Sequence, residues 1–273
     1  MRHLLSYAAQ QASGISCWMR DEEHIEKAFD FGGMPARNGV QAAAMVAHGF
    51  TGVDDVFSGE RNFFAAYGRS PDPEELARDL GERYEIMNAD IKRWAVGSPI
   101  QAPLDSLLEL IREHRIRPGE VERLVVRVAH LGANTTDNRA MPDICMQHLC
   151  VVMLADGTVS FRSAHDAKRM REAKILELRR RVELVGDDEL TAAMPRREGI
   201  VELRLKDGRE FRHHTRAVRG TPENPMSREE VEAKSRDLAA PVTGVARSRK
   251  LCETVWNLEG IKDVRTLRPL LRA

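Results

Sequence analysis

The sequence predicts an α+β protein, helical at both ends with a smaller mixed region between them that holds a mainly antiparallel sheet. Three observations lead there. From Met1 to about Asn88 the apolar residues recur at helical spacing. After Trp94 stretches of strict alternation appear among helices, and one pair of them is joined by an Asp-Gly turn. From Ser227 onward the helical spacing returns.

The elements follow in order. Leu4, Leu5, Ala8, Ala9 and Ala12 form a helical face whose small side chains suit close packing; the run opens with no capping residue, which reads as the middle of a bundle. A second helix starts near Pro35, with Ala42, Met45 and Val46 on one face and His48 closing it before Gly49, where a histidine complements the dipole. Asp72 and Pro73 suit the N-cap and first position of a further helix at Pro71 to Leu76. Pro103 to His114 reads as a helix, and Val121 to Val128 as a half-buried strand with Leu124, Val126 and Val128 on one face. Pro142 to Leu154 is helical and ends at Asp156-Gly157; Asp166 to Leu178 is another helix and Val182 to Val185 a strand. Arg179, Arg180 and Arg181 read as a solvated strand edge. A hairpin runs from Ile200 to Leu205, through Lys206-Asp207-Gly208, to the strand at Arg209 to Val218. Ser227-Arg228-Glu229-Glu230 is a capping box for a helix from Glu229 to Leu238, and Cys252 to Leu258 and Val264 to Leu271 continue in helical character.

Composition removes several function classes. The 42 basic and 42 acidic residues cancel, so nucleic acid and anionic membranes are not expected partners. No apolar run approaches the ~20 residues of a membrane span, and no leader pattern opens the chain, so a cytoplasmic protein is expected. Cys17, Cys145, Cys150 and Cys252 lack metal-ligand spacing and read as buried free thiols, and no other ligand cluster suggests a metal.

The stretch richest in chemistry is Lys27-Ala28-Phe29-Asp30-Phe31-Gly32-Gly33-Met34-Pro35-Ala36-Arg37-Asn38-Gly39. Gly32 and Gly33 allow close approach to the main chain, and a helix beginning at about Ala36 would offer unsatisfied N–H groups to an anion between the cations Lys27 and Arg37. The plainer reading is a helix connector whose glycines cap and pack.

Downstream stand Gly49-Phe50-Thr51-Gly52, the segment from Gly59 to Phe64, Ile91-Lys92-Arg93-Trp94, Leu104-Asp105, Leu154-Ala155-Asp156-Gly157 and Gly220-Thr221-Pro222-Glu223-Asn224-Pro225-Met226-Ser227. In this order and spacing the chain resembles the MmgE/PrpD family, which includes 2-methylcitrate dehydratases, cis-aconitate decarboxylases and iminodisuccinate epimerases. The resemblance runs over the whole chain. It implies part of a discontinuous helical domain at residues 1–90, an α+β lid at 91–222, and C-terminal helices at 223–273 that return to the helical domain. It also implies further helices ahead of this sequence, either encoded upstream, supplied by a second chain or lost. The resemblance also implies a homodimer, and chemistry that uses neither a metal nor an organic cofactor.

The family's reactions place extra negative charge on a substrate that is already a di- or tricarboxylate, so fixed cations and donors must face it. The resemblance assigns Lys27 and Lys92 to carboxylate binding and charge stabilisation, with Gly32, Gly33, Arg37, Asn38 and Gln101 around the substrate. This chain departs from the family in that Asp30 and Gln101 stand where histidines are common, Gly97 where cysteine is usual, Cys145 where members have serine and His148 where many have tyrosine. His148 is the one matched position that gains a group titrating near neutrality, and is expected to exchange protons; a core or interface histidine is the alternative. Arg37 suits either a substrate carboxylate or a structural ion pair. The expected activity is a hydro-lyase reaction on a small polycarboxylate, as in 2-methylcitrate dehydratase and propionate metabolism. Decarboxylation, epimerisation, or a partial subunit that needs a partner are the other readings.

Overall fold

The computed structural model describes residues 1–12 and 29–272. Two compact units divide the chain, Met1–Glu85 and Ile86–Ala273. Lys27, Cys17 and the first two residues of the glycine stretch lie outside the described residues.

In the first unit α1 (Arg2–Gln10) packs on α2 (Met34–Ala47) through small side chains, with Ser6 and Ala42 fully buried. The Gly-Phe-Thr-Gly motif is docked on α1: Tyr7 Oη donates to the Thr51 carbonyl at 2.8 Å, and the Val53 N–H donates to Ser6 Oγ at 3.2 Å. A Cβ on Gly52 would sit 3.0 Å from Ser6 Oγ, which is why this position is small. Phe57, Phe63, Phe64 and Tyr67 form an aromatic cluster around the short α3 (Phe63–Tyr67), whose N-cap Asn62 accepts from the Ala65 N–H. Among the described residues of this unit Ala42 is the only apolar side chain in the buried core, while Val40, Phe50, Val53 and Leu80 are exposed.

Two expectations for this unit are corrected. Gly32 and Gly33 do not form a loop: Phe29–Gly33 is one π-helical turn that runs directly into α2, and Gly33 has φ −71° and ψ −47°. The N–H groups near Ala36 therefore lie inside a continuous helix rather than at a free end. Pro73–Leu76 is a single 3-10 turn and not a helix, although Asp72 caps it as expected, accepting from the Glu74 N–H at 3.1 Å. A helix is sustained by burying a face, and residues from Pro71 to Met87 bury none.

The second unit is the α+β part. Its sheet has the order β2-β1-β3-β4, with β1 (Val121–Ala129) parallel to β2 (Val182–Asp187) and antiparallel to β3 (Gly199–Leu205), and β3 antiparallel to β4 (Glu210–Thr215). The Asp-Gly hairpin forms where expected, with Gly208 at φ +89° and the Leu205 N–H donating to the Arg209 carbonyl at 2.9 Å. Alternation decides the faces. Leu124, Val126, Val128, Val201, Leu203 and Leu205 point inward and are essentially inaccessible. The other face is a ladder of ion pairs, Arg123 with Glu183 and Arg127 with Glu202.

α4 (Gln101–His114) covers β3 and β4 with Leu104, Leu107 and Leu108, and α6 (Met146–Asp156) packs against α4 and β2. Every residue of α6 from Met146 to Leu154 is buried, so it is a helix wrapped on all sides by core. Burying a leucine or methionine contributes about 1.5–3 kcal/mol, and α6 supplies more such burial than any surface helix can. Short helices complete the unit: α5 (His130–Thr136), α7 (Phe161–Ala164), α8 (Ala173–Arg179) and α9 (Asp188–Ala192). They are followed by α10 (Arg228–Thr243) and α11 (Val245–Trp256), which pair with each other, Arg228 lying 4.4 Å over the Trp256 ring.

Here too some boundaries differ. Cys145 is extended (φ −95°, ψ 107°), so α6 starts at Met146 and only Cys150 of the two cysteines is helical. The helix expected at Asp166 to Leu178 is broken at Glu172, whose ψ of 138° separates a 3-10 turn, Arg169–Arg171, from α8. Val264–Leu270 is 3-10 with Pro269 inside it. Of the three arginines before the edge strand β2, Arg180 is exposed as expected, whereas Arg181 donates to the Val121 carbonyl at 2.6 Å and pairs with Glu177, and Arg179 donates to Asn138 and to Cys145 Sγ. The capping box is present at α10, where Ser227 accepts from the Glu230 N–H and Glu230 accepts from the Ser227 N–H. Ser227→Ala is expected to cost about 1 kcal/mol, read as a fall in the urea midpoint at unchanged slope.

Candidate functional site

The site residues expected in the first unit are partly engaged with one another. Arg37 donates to Asn38 Oδ1 at 3.2 Å, and the buried Asn38 donates to the Gln11 carbonyl at 3.0 Å. Asn38 thus ties α2 to the end of α1. Asp30 lies half-buried in the π-helical turn, beside exposed Gly32.

In the second unit the expected residues Lys92 and Gln101 meet. Gln101 is buried and its amide is bonded at both ends: Oε1 accepts from the Trp94 N–H at 3.1 Å, while Nε2 donates to the carbonyls of Trp94 at 2.9 Å and Val96 at 3.3 Å. Lys92 Nζ donates to the same Val96 carbonyl at 3.3 Å. Gln101 therefore shapes the segment that bears Lys92, and its bonds go to that segment's main chain. Lys92 itself is exposed.

Beside this segment is a network that sequence reasoning did not assign. Asp105 is buried, and its Oδ1 accepts from Trp94 Nε1 at 3.3 Å and from Arg93 at 3.4 Å, while Oδ2 accepts from the Arg219 N–H at 2.9 Å. Burial pushes the Asp105 carboxyl above the usual range, and the Arg219 N–H, Arg93 and Trp94 pull it back. Arg219 in turn pairs with Glu230 and donates to Asn224 Oδ1 at 2.8 Å. Gly220, at φ +103°, lets the chain pass so close to Ile91 that a Cβ would collide with the Ile91 carbonyl, and its own carbonyl accepts from the Ile91 N–H at 2.8 Å. The matched motifs at Lys92, Asp105 and Gly220 are thus one assembled unit around the Lys92 segment. An open polar cavity of about 500 Å³ borders it, lined by Arg93, Asp105, His213, Arg219 and Glu230 among others.

His148 is elsewhere, in the middle of α6. Its side chain has no exposed surface, and among the described residues neither Nδ1 nor Nε2 has a hydrogen-bond partner. Burial, reinforced by the charges of Arg179 and Arg169, lowers its pKa to about 4. At neutral pH the ring is uncharged and sealed from solvent, so this placement does not support the proton exchange expected of it. Cys150 on the same helix is pushed up to about 12 by burial, and burial also raises Cys145, so both thiols are inert as nucleophiles. Among the described residues no group of three or more His, Cys, Asp or Glu side chains is gathered to hold a metal, and no helix is long and apolar enough to cross a membrane.

Comparison with known proteins agrees with this assembly of motifs. Residues 1–76 match the MmgE/PrpD N-terminal domain and residues 94–259 the MmgE/PrpD C-terminal domain. The chain is similar to cis-aconitate decarboxylase of Homo sapiens, 24% identical over 253 residues, which cover 88% of this chain and 52% of that protein. It spans about half the length of this curated relative. With both domains of the family matched and the motifs of the second gathered around Lys92, the chain belongs to the MmgE/PrpD family.

Proposed function

We propose that the chain serves a lyase reaction on a small di- or tricarboxylate, with loss of water as in 2-methylcitrate dehydratase. The observation that carries this reading is the exposed Lys92 on a main chain fixed from several sides, in a protein whose family includes such enzymes. Removing a proton next to a carboxylate leaves an intermediate with added negative charge, and a fixed ammonium stabilises that charge more than it stabilises the substrate. Lys92 takes this role, and Lys27 is assigned to it as well on the resemblance. The base then passes that proton to the departing hydroxyl, which leaves as water, and the unsaturated acid remains. Asp30, which stands where the family has histidine, is the carboxylate assigned to the proton.

A second reaction is favoured by the similarity to a cis-aconitate decarboxylase, in which carbon dioxide leaves and the carbon is reprotonated. Incubation with citrate, 2-methylcitrate and cis-aconitate, followed by proton NMR and by release of carbon dioxide, separates the two. An unsaturated acid without gas release supports the hydro-lyase, whereas gas release from cis-aconitate replaces it with the decarboxylase. No turnover of any of the three would sink both and leave a subunit that works only with a partner.

Activity is expected to persist in EDTA, since the chemistry assigned here uses side chains alone; loss on chelation, restored by a divalent ion, would contradict it. The apolar side chains exposed in the first unit also support a proposed homodimer. Sedimentation is expected to show self-association, and a well-behaved monomer counts against it.

A further inference from the structure

The residues from Ile91 to Gly97 form neither helix nor strand, yet their main chain is held step after step. The Ile91 N–H donates to the Gly220 carbonyl, both peptide groups of Trp94 bond to Gln101, and the Gly97 N–H donates to the Asp143 carbonyl at 3.0 Å. A further fixed point is the carbonyl of Lys92 itself, which accepts from the ammonium of Lys234 on α10, 142 residues away in the chain. Lys234 is half-buried, and burial holds its amine below the ordinary lysine range. A charge-assisted bond from a partly desolvated ammonium is stronger than one from a neutral amide. A neutral donor would be enough to satisfy one carbonyl. A cation adds positive potential at the backbone of the residue assigned to bind carboxylates, where it favours a polyanion.

We propose that Lys234 is a positioning residue for Lys92. Its ammonium fixes the point at which the Lys92 side chain leaves the main chain, and so the place where that cation meets a substrate carboxylate. The catalytic consequence rests on the lyase reading above; the anchoring of the segment does not. α10 thereby acts on the site without touching the substrate, and the capping box and the Arg219–Glu230 pair hold α10 in register for it.

The test uses the full chain and its K234M, K92A and K234M/K92A variants, with two readouts. In hydrogen exchange followed by mass spectrometry, K234M should raise exchange of the peptide covering Ile91 to Gly97 by about tenfold or more and leave β1, β3 and α6 protected. In the assay, K234M should lower kcat about 10-fold with little change in KM, and lower it no further when Lys92 is already alanine. Unchanged exchange at Ile91 to Gly97, loss of protection throughout the unit, or additive losses in the double variant would each overturn the proposal. If the unmodified chain turns over no polycarboxylate, it is the lyase reading that fails, and the exchange result alone decides the role of Lys234.

Discussion

Lys92→Ala is expected to lower turnover of the polycarboxylate by at least about 30-fold, or about 2 kcal/mol of transition-state stabilisation, while leaving the fold intact. The reasoning joins position to chemistry. The side chain is exposed, and its bond to the Val96 carbonyl is a long 3.3 Å. The same carbonyl keeps its bond from Gln101 Nε2. What is lost is a cation on a rigid stretch of backbone, where charge develops during reaction. The loss should therefore fall mainly on kcat. Lys92→Arg should recover only part of it, because a guanidinium is larger and presents its donors in a plane. Parallel measurement of the urea midpoint separates the two effects: a midpoint unchanged within error and wild-type turnover would remove Lys92 from the chemistry.

The second large effect concerns His148 and is one of stability. Its folded pKa of about 4 lies below the ordinary 6.5, so between those values the unfolded chain binds a proton that the folded chain refuses. The stability this neutral ring permits is fully present above about pH 6.5 and is lost as pH falls toward 4. At ~1.4 kcal/mol per pH unit the loss is about 3 kcal/mol. His148→Leu removes the titration and fills the site with a side chain that needs no partner. Urea unfolding at a series of pH values from 7 to 4 should show the wild type falling by about 3 kcal/mol more than His148→Leu. At pH 7 the variant should equal or exceed the wild type, since two ring nitrogens without partners no longer have to be buried. Parallel curves for the two proteins would mean that the ring finds a partner in solution.

Much of the fold was legible because its signals are local. The alternation at Leu124, Val126 and Val128 placed those residues inside, and Asp207-Gly208 marked the hairpin. Ser227 to Glu230 announced α10 within one turn of its start. Helix interruptions were less legible: Asp166 to Leu178 keeps an acceptable helical pattern, but Asp166 caps a separate short turn by accepting from the Lys168 and Arg169 N–H groups. Gly32-Gly33 misled in the opposite direction, since glycine pairs usually mark loops and here both sit in a helical turn. The site was legible only in part. Lys92 could be singled out by its neighbours in sequence, but the groups that hold it come from far away: Asp105 and Arg219 are 114 residues apart, and Lys92 and Lys234 are 142 apart. No spacing rule reaches across such distances. His148 shows the reverse limit, because a residue type apt for proton transfer says nothing about whether solvent can reach it.

The position of β1 in the middle of the sheet has a consequence for synthesis on the ribosome. Its partners are late: Arg123 waits 60 residues for Glu183, and Arg127 waits 75 for Glu202. At about 5–20 residues per second, β1 and the apolar α6 spend several seconds or more outside the tunnel before β3 arrives to cover them. Through that interval Leu124, Val126 and Val128 form an unpaired apolar edge, the kind of segment that chaperones bind and that aggregates when they are scarce. Nascent chains arrested shortly before Gly199 should therefore be held by chaperones and cut readily by protease, and those arrested with Thr215 well clear of the tunnel should resist it.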